Sequence, residues 1–247
     1  MTTTDKGTDR GTANRRRPWA IEFYSSAVGK KWVMAITGII FLGYVFVHML
    51  GNLKLYLGTD PTGIYAIDHY GEWLRELLEP FLPREGLLWI FRVVLISSVV
   101  LHIHAAYSLT VTNWKARPMR YQSPREYLVA NYASRTMRWS GVIVGAFIAF
   151  HVMDLTIGNV NPEFVAGDVH ANLIASFTRP WVAIFYIVAN LLLGLHIFHG
   201  TWSLFQSIGW NNPRFNEWRR WLAWAFTAVI VIANVSFPLT VLTGLVK

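Results

Sequence analysis

No cysteine occurs anywhere in the 247 residues. That absence excludes disulfides, thiolate metal sites, iron–sulfur ligation on this chain and covalent haem attachment through a C-x-x-C-H motif. Histidine and the carboxylates are left as the only strong metal ligands. Charge is scarce as well, at 15% of residues against 53% hydrophobic, and the mean hydropathy is +0.34. Such a balance belongs to a membrane protein rather than to a water-soluble domain of this length. Strand-like alternation of useful length is missing too, which leaves an all-α fold. The formal charge of +8 would suit nucleic acid in a soluble chain. In a membrane chain it reads as loop bias, and no nucleic-acid partner is expected.

Apolar residues gather into five stretches, roughly 31–53, 87–112, 138–158, 180–208 and 221–245. Each is near or above the ~20 residues that span a bilayer. The chain therefore divides into an N-terminal segment, residues 1–30, and a five-helix transmembrane domain, residues 31–247. Residues 1–18 are polar, Arg-rich and without an apolar core, so they do not read as a signal peptide.

Orientation follows from the loop cations. Lys6, Arg10, Arg15, Arg16, Arg17, Lys30 and Lys31 precede the first span. Lys115, Arg117, Arg120, Arg125, Arg135 and Arg138 join the second to the third, and Arg214, Arg219 and Arg220 join the fourth to the fifth. The other side holds only Lys54, Arg75, Arg84, Arg179 and Lys247. The expectation is a multi-pass protein of the plasma membrane, with its N-terminus cytoplasmic and its C-terminus external. The longest external loop, 54–86, contains "YAIDHYGEWLRELLEPFL", in which Ile67, Trp73, Leu74, Leu77 and Leu78 recur at roughly helical spacing. It predicts a short amphipathic helix on the outer surface, either a lid over the bundle or part of a binding site.

Histidine is the type that stands out. His69 and His170 fall in external loops and read as ordinary. The other six lie within spans: His48, the pair His102 and His104, His151, and the pair His196 and His199. An ionisable side chain in hydrocarbon is costly and points to function by default. At ~1.5 Å per helical residue, His48 and His151 lie ~10 Å inside the outer boundary, whereas His104 and His196 lie ~26 Å in. The histidines thus form two levels ~15 Å apart along the membrane normal. Two facing imidazoles at one level match the axial needs of a six-coordinate haem b. Zinc or copper wants three or four ligands, and no carboxylate sits at the inner level. A proton relay does not require paired levels. His102 and His104 are ~200° apart around a helix and cannot face one haem together. His196 and His199 share a face, and geometry does not choose within either pair.

Four motifs at these positions, "HMLGN" (His48–Asn52), "IHAAY" (Ile103–Tyr107), "FHVMD" (Phe150–Asp154) and "HIFHGTWS" (His196–Ser203), carry a resemblance. In order and spacing over residues 20–245 the chain resembles the single-polypeptide, five-helix, dihaem cytochrome b anchor of succinate dehydrogenase and fumarate reductase complexes. The resemblance implies two haem b groups, with His48 and His151 as axial ligands of the outer one and His104 and His196 of the inner one. It thereby selects His104 over His102 and His196 over His199. It also implies a flavoprotein subunit with FAD and an iron–sulfur subunit on the cytoplasmic face. Electrons would pass through the anchor to a membrane quinone, ubiquinone or menaquinone. The chain itself would carry no dicarboxylate site, and the complex is open to higher oligomerisation. Some fumarate-reducing members carry a glutamate two residues before the inner ligand on the fourth span. Here that position is Gly194, which favours succinate oxidation.

Cationic or polar partners for haem propionates are expected among Arg138, Lys30, Lys31 and His199 at the inner level. Arg92 and Asn52 are the candidates at the outer one, and for Arg92 snorkelling is the competing reading. Gly141 and Gly145 form a small-xxx-small pair that suggests helix packing. Asp154, one turn beyond His151, is either a proton partner for quinone or a solvated residue at a span end. With His69, Trp73 and Arg92 it makes up the candidate quinone site. The rival readings are the cytochrome b subunit of another respiratory dehydrogenase and a haem-free membrane protein that handles metal ions or protons.

Overall fold

The computed structural model describes residues 18–116, 128–210 and 212–247, with residues 128–135 and 213 described by backbone alone. The tail 1–17, Arg117, Arg120, Arg125 and the Arg135 side chain lie outside the described residues. Among the described residues, eight α-helices run in order: α1 (Trp19–Ser25), α2 (Ala27–Asn52), α3 (Ala66–Glu76), α4 (Gly86–Lys115), α5 (Leu128–Val152), α6 (Val169–Phe177), α7 (Pro180–Ser207) and α8 (Asn216–Leu242). No strand occurs among the described residues. Five segments are long and apolar enough to cross a membrane: Ala27–Leu57, Gly86–Lys115, Thr136–Ile157, Pro180–Ser207 and Asn216–Leu242. In hydrocarbon every backbone amide needs an internal partner, and continuous helix provides one.

The helix ends follow local chemistry. Ser26 starts α2 by accepting a hydrogen bond from the Gly29 amide at 2.9 Å, a side-chain N-cap. Gly29 also lets α1 fold back, since a Cβ there would lie 1.9 Å from the Phe23 carbonyl oxygen. Pro180 opens α7 at a position where its missing amide costs nothing. Helix α5 ends in a π-helical turn, Met153–Ile157, closed by Gly158 with φ of 84°.

Packing is uneven. Helix α7 packs along α8 and α5, and α2 packs along α4, with lighter contact from α2 to α7 and α8. The main core lies near one end, where Phe147, Phe177, Val182, Tyr186, Phe237 and Val241 meet Leu55, Ile67 and Leu173. Helices α3 and α6 cap that end. Asp68 of α3 accepts hydrogen bonds from the Val169 and His170 amides at 2.8 and 2.9 Å, supplementing Asp168, the N-cap of α6. The expected surface helix is therefore the shorter α3. It stops at Glu76, and Leu78 adopts a positive φ of 74° just before Pro80. Its Ile67 is buried against the core while Trp73 is exposed. His170 is not a loop residue: it sits in α6, buried, with its ring stacked on Tyr65 at 3.4 Å between centroids. Burial pushes its pKa below the ordinary histidine value, against the pull of Asp68 and Asp168.

Gly194 is a tight contact of α7 with α8. A Cβ at this position would stand 2.4 Å from Val231 Cγ2, so a glutamate cannot be housed there without separating the helices. Gly194→Ala is expected to cost ~1–3 kcal/mol as an overpacking change. Val231→Ala in the same chain should recover most of the loss. Thermal unfolding in detergent checks both variants.

Candidate metal and cofactor site

His48 of α2 and His151 of α5 face one another, with ring centroids 5.7 Å apart and planes at 72°. Tyr44 packs on the first ring and Phe147 on the second. Each ring has its Nδ1 turned to a protein partner. The Asn52 amide lies 3.1 Å from His48 Nδ1, and the Tyr186 hydroxyl lies 3.4 Å from His151 Nδ1. Asn52, expected beside a cofactor, instead meets the imidazole itself.

The second pair differs from expectation. His196 of α7 faces His102 of α4, with centroids 6.4 Å apart and planes at 59°. His104 lies on the other side of α4, exposed, stacked on Tyr24 and hydrogen-bonded to its hydroxyl. The reason is the face of α4 that packs on α2. Ser98 and Ala105 are its buried residues, and His102 stands four residues after one and three before the other. One further step of two residues turns His104 ~200° away. His102 Nδ1 is 2.8 Å from the Thr37 hydroxyl of α2, and Phe41 meets the ring edge-on. His196 Nδ1 is 3.4 Å from the Ser140 hydroxyl of α5. Gly141 lies beside that ring, since a Cβ there would be 3.4 Å from His196 Cε1. Gly145 has no neighbour within 4 Å of its Cβ position. Of the Gly141/Gly145 pair, Gly141 therefore borders an imidazole and Gly145 borders open space.

The two levels are locked in register. Thr37 precedes His48 by eleven residues on α2, and Ser140 precedes His151 by eleven on α5. Eleven residues make three turns, ~16 Å along one face. Each of these helices therefore offers a histidine at one level and a hydroxyl, to a histidine of a different helix, at the other.

The pairs fit a metal bound between two imidazoles. Metal–nitrogen bonds of ~2 Å and ring radii of ~1.1 Å place such centroids ~6 Å apart. The hydroxyls beside His102, His196 and His151 can accept from Nδ1–H and leave Nε2 as the ligating nitrogen, whereas the Asn52 amide donates to His48 Nδ1 and fixes the orientation of that ring. Among the described residues no group of three or more His, Asp or Glu gathers as a metal cluster, so each level offers two protein ligands. Such a pair suits a planar tetradentate cofactor such as haem, which supplies the other four.

Asp154 is neither solvated nor at the surface. It is fully buried, at 0% exposure, because the π-helical turn points it inward. Arg179 donates to its Oδ1 at 2.6 Å, Tyr186 donates to its Oδ2 at 3.0 Å, and Ser176 donates to the same oxygen. Arg179 also donates to the Val160 carbonyl at 2.9 Å. A buried carboxylate needs such compensation.

The remaining candidates scatter. Arg138 lies over the Trp114 ring, 5.6 Å from its centroid, at the join of α4 and α5. Arg92 lies over Trp89 and within 3.4 Å of Glu85, at the start of α4. Lys30 falls at helical spacing on the stripe of α2 that holds Met34, Thr37, Phe41 and His48, and Lys31 falls off it. His199 is half-buried against Phe198. His69 and Trp73 share a cavity of about 660 Å³ with Lys54, Asp60 and Tyr70. Arg92 and Asp154 do not line it. No family model matches the chain, and no match was found among curated proteins or solved structures.

Sequence reasoning missed Thr37, Ser140, Tyr186 and Ser176, and it read Arg179 as loop charge. For the first two a signal existed in the equal spacing to His48 and His151. For Tyr186 and Ser176 no local pattern announces a partner more than twenty residues away.

Asp60 anchors the cavity wall by accepting from the Thr62 hydroxyl, His69 Nε2 at 2.7 Å and the Thr62 and Ile64 amides. These bonds, the Thr62 hydroxyl first and His69 next, hold its carboxyl well below the usual aspartate value of 3.8. A lowered carboxylate pKa means stability that is present above the unfolded value and lost as pH falls through the folded one. Protection of the Thr62 and Ile64 amides against hydrogen exchange should hold from neutral pH to about pH 4 and decline only below it. Asp60→Asn should remove that acid step.

Proposed function

We propose that the chain is the membrane anchor and electron-transfer subunit of a succinate:quinone oxidoreductase. The observation that supports it most is the pair of two-histidine levels, each ring with a protein partner at Nδ1. The four motifs that resemble dihaem cytochrome b anchors add the identity of the complex. His48 and His151 would hold one haem b, and His102 and His196 the other, with His102 in place of His104. Haem bound there supplies one-electron carriers between an iron–sulfur protein and quinone.

The chain's own residues have distinct tasks. The hydroxyl oxygens of Thr37, Ser140 and Tyr186 hold the rings of His102, His196 and His151 in the tautomer that frees Nε2, and the Asn52 amide orients the ring of His48. Lys30 and Arg138, near the α1 end, offer cations to acidic groups at the His102–His196 level. That end is assigned to the cytoplasm by the loop cations, where a flavoprotein and an iron–sulfur protein dock. The cavity of His69, Trp73, Tyr70 and Lys54 lies at the other end, within a few residues of His48 along the chain. Its volume is in the range of small-molecule sites, and we assign it to the quinone ring. Gly194, held against Val231, carries no acid for proton passage beside His196, so oxidation of succinate is the favoured direction.

Haem content of the purified chain, by pyridine haemochrome assay, tests the reading. Two haems per chain are expected. His102→Ala, His196→Ala, His48→Ala and His151→Ala should each fall to about one, and His104→Ala should keep both. A wild-type chain without haem overturns the proposal. Loss of a haem in His104→Ala with retention in His102→Ala overturns the choice within the second span.

A further inference from the structure

The four imidazoles do not have equivalent supports. His102 meets the Thr37 hydroxyl, His196 meets the Ser140 hydroxyl and the backbone of Met137, and His48 meets the amide of Asn52, none of them charged. Behind the phenol that meets His151 stands a charged chain. Tyr186 donates its proton to Asp154, so the same oxygen presents its lone pair to His151, whose Nδ1–H becomes the donor. Asp154 is in turn paired with Arg179. His151 is thus linked to a buried carboxylate through one phenol. The carboxylate lies within the main core and makes no contact with the His69–Trp73 cavity.

We infer that the Tyr186–Asp154–Arg179 chain is a positioning and tuning device for His151, which lowers the reduction potential of the His48–His151 centre. The inference rests on the haem reading above. Negative charge delivered to the Nδ1–H side makes Nε2 a stronger donor. A stronger donor, and a carboxylate nearby, stabilise ferric over ferrous iron, which carries one positive charge fewer. Low dielectric around a fully buried aspartate keeps this field from being screened. Arg179 opposes it from the far side of the carboxylate, so the two charges of one ion pair act on the centre with opposite signs. A phenol between charge and ring also fixes the imidazole plane, since it accepts from Nδ1–H and donates to Oδ2.

Redox potentiometry on the full-length, haem-loaded protein in detergent or membranes tests the inference, with haem content measured on every sample. Two resolved midpoints are expected. Asp154→Asn should raise the midpoint that His48→Ala removes by a tenfold change or more in the reduction equilibrium, which is 59 mV for one electron, and leave the other in place. Arg179→Gln should move the same midpoint downward. Tyr186→Phe, which removes one oxygen and leaves the ion pair intact, should raise it by less than Asp154→Asn. It keeps the test alive if the charge variants fold poorly. A structural role alone predicts loss of haem or broadening, not shifts of opposite sign at one centre. Unmoved midpoints in Tyr186→Phe with both haems retained overturn the inference and leave the haem reading standing. Shifts of the same sign in Asp154→Asn and Arg179→Gln also overturn it. A wild-type chain without haem overturns both.

Discussion

An imidazole inside hydrocarbon has two ring nitrogens and no water to satisfy them, and the helices of this protein are arranged around that demand. Leaving a polar group unpaired in such a medium costs more than any single packing contact returns. Each of the four facing histidines meets part of the demand through Nδ1, which lies beside a hydroxyl of Thr37, Ser140 or Tyr186 or beside the Asn52 amide. Rings held on one side only still rotate. Phe41, Tyr44 and Phe147, packed on three of the four rings, limit that rotation. The bundle therefore has a rigid interior at two depths although α4 has few buried residues of its own.

Register is what couples the two depths. A histidine at one level and a hydroxyl three turns away at the other make α2 and α5 equivalent in role, although they share no sequence motif. α4 and α7 then contribute the complementary histidines, His102 and His196. If α2 slid by one residue, Thr37 and His48 would leave their partners together, since a single-residue step rotates the face by ~100°. The levels are thus held by one constraint and not by two separate ones. The end caps reinforce it: Asp68 reaches from α3 to the first amides of α6, which fixes the α3–α6 layer over the main core.

Much of this arrangement was legible in the chain, and the exceptions have a common cause. The five apolar segments and the histidine levels follow from composition and from the rise of a helix, which depend on one element at a time. The resemblance points to His104 rather than His102, although the two-residue spacing alone requires only that one of them face inward. What decides between them is which face of α4 meets α2, and the small residues Ser98 and Ala105 mark it at helical spacing around His102. Asp154 was read from its distance to the span end, as solvated or as a partner for quinone. That estimate assumes a straight α-helix. The π-helical turn from Met153 to Ile157 breaks the assumption, and the cation that neutralises the carboxylate sits on the segment leading into α7, twenty-five residues on. Pairings between elements, not the elements, were the hidden part.

The distribution of charge within the helices follows from how α7 divides its surface. Ala183, Asn190, Gly194, Ile197 and Thr201 are buried on it, with Gly194 set tightly against Val231 of α8. Tyr186 and His196 belong to the neighbouring stripe, toward α5, which the contacts to His151 and Ser140 define. Small residues on the first stripe allow close approach of two helices without a hydrophobic driving force, as packing within a membrane requires. Close approach leaves no volume for an acid and its hydration. An ionic group can then enter the α5–α7 seam only near its end, where a partner cation can reach both the carboxylate and a backbone carbonyl. Arg179 does so, bonding Asp154 and the Val160 carbonyl at once. The buried ion pair thus stands beside His151, at the end of α7 remote from its tight contact with α8 at Gly194.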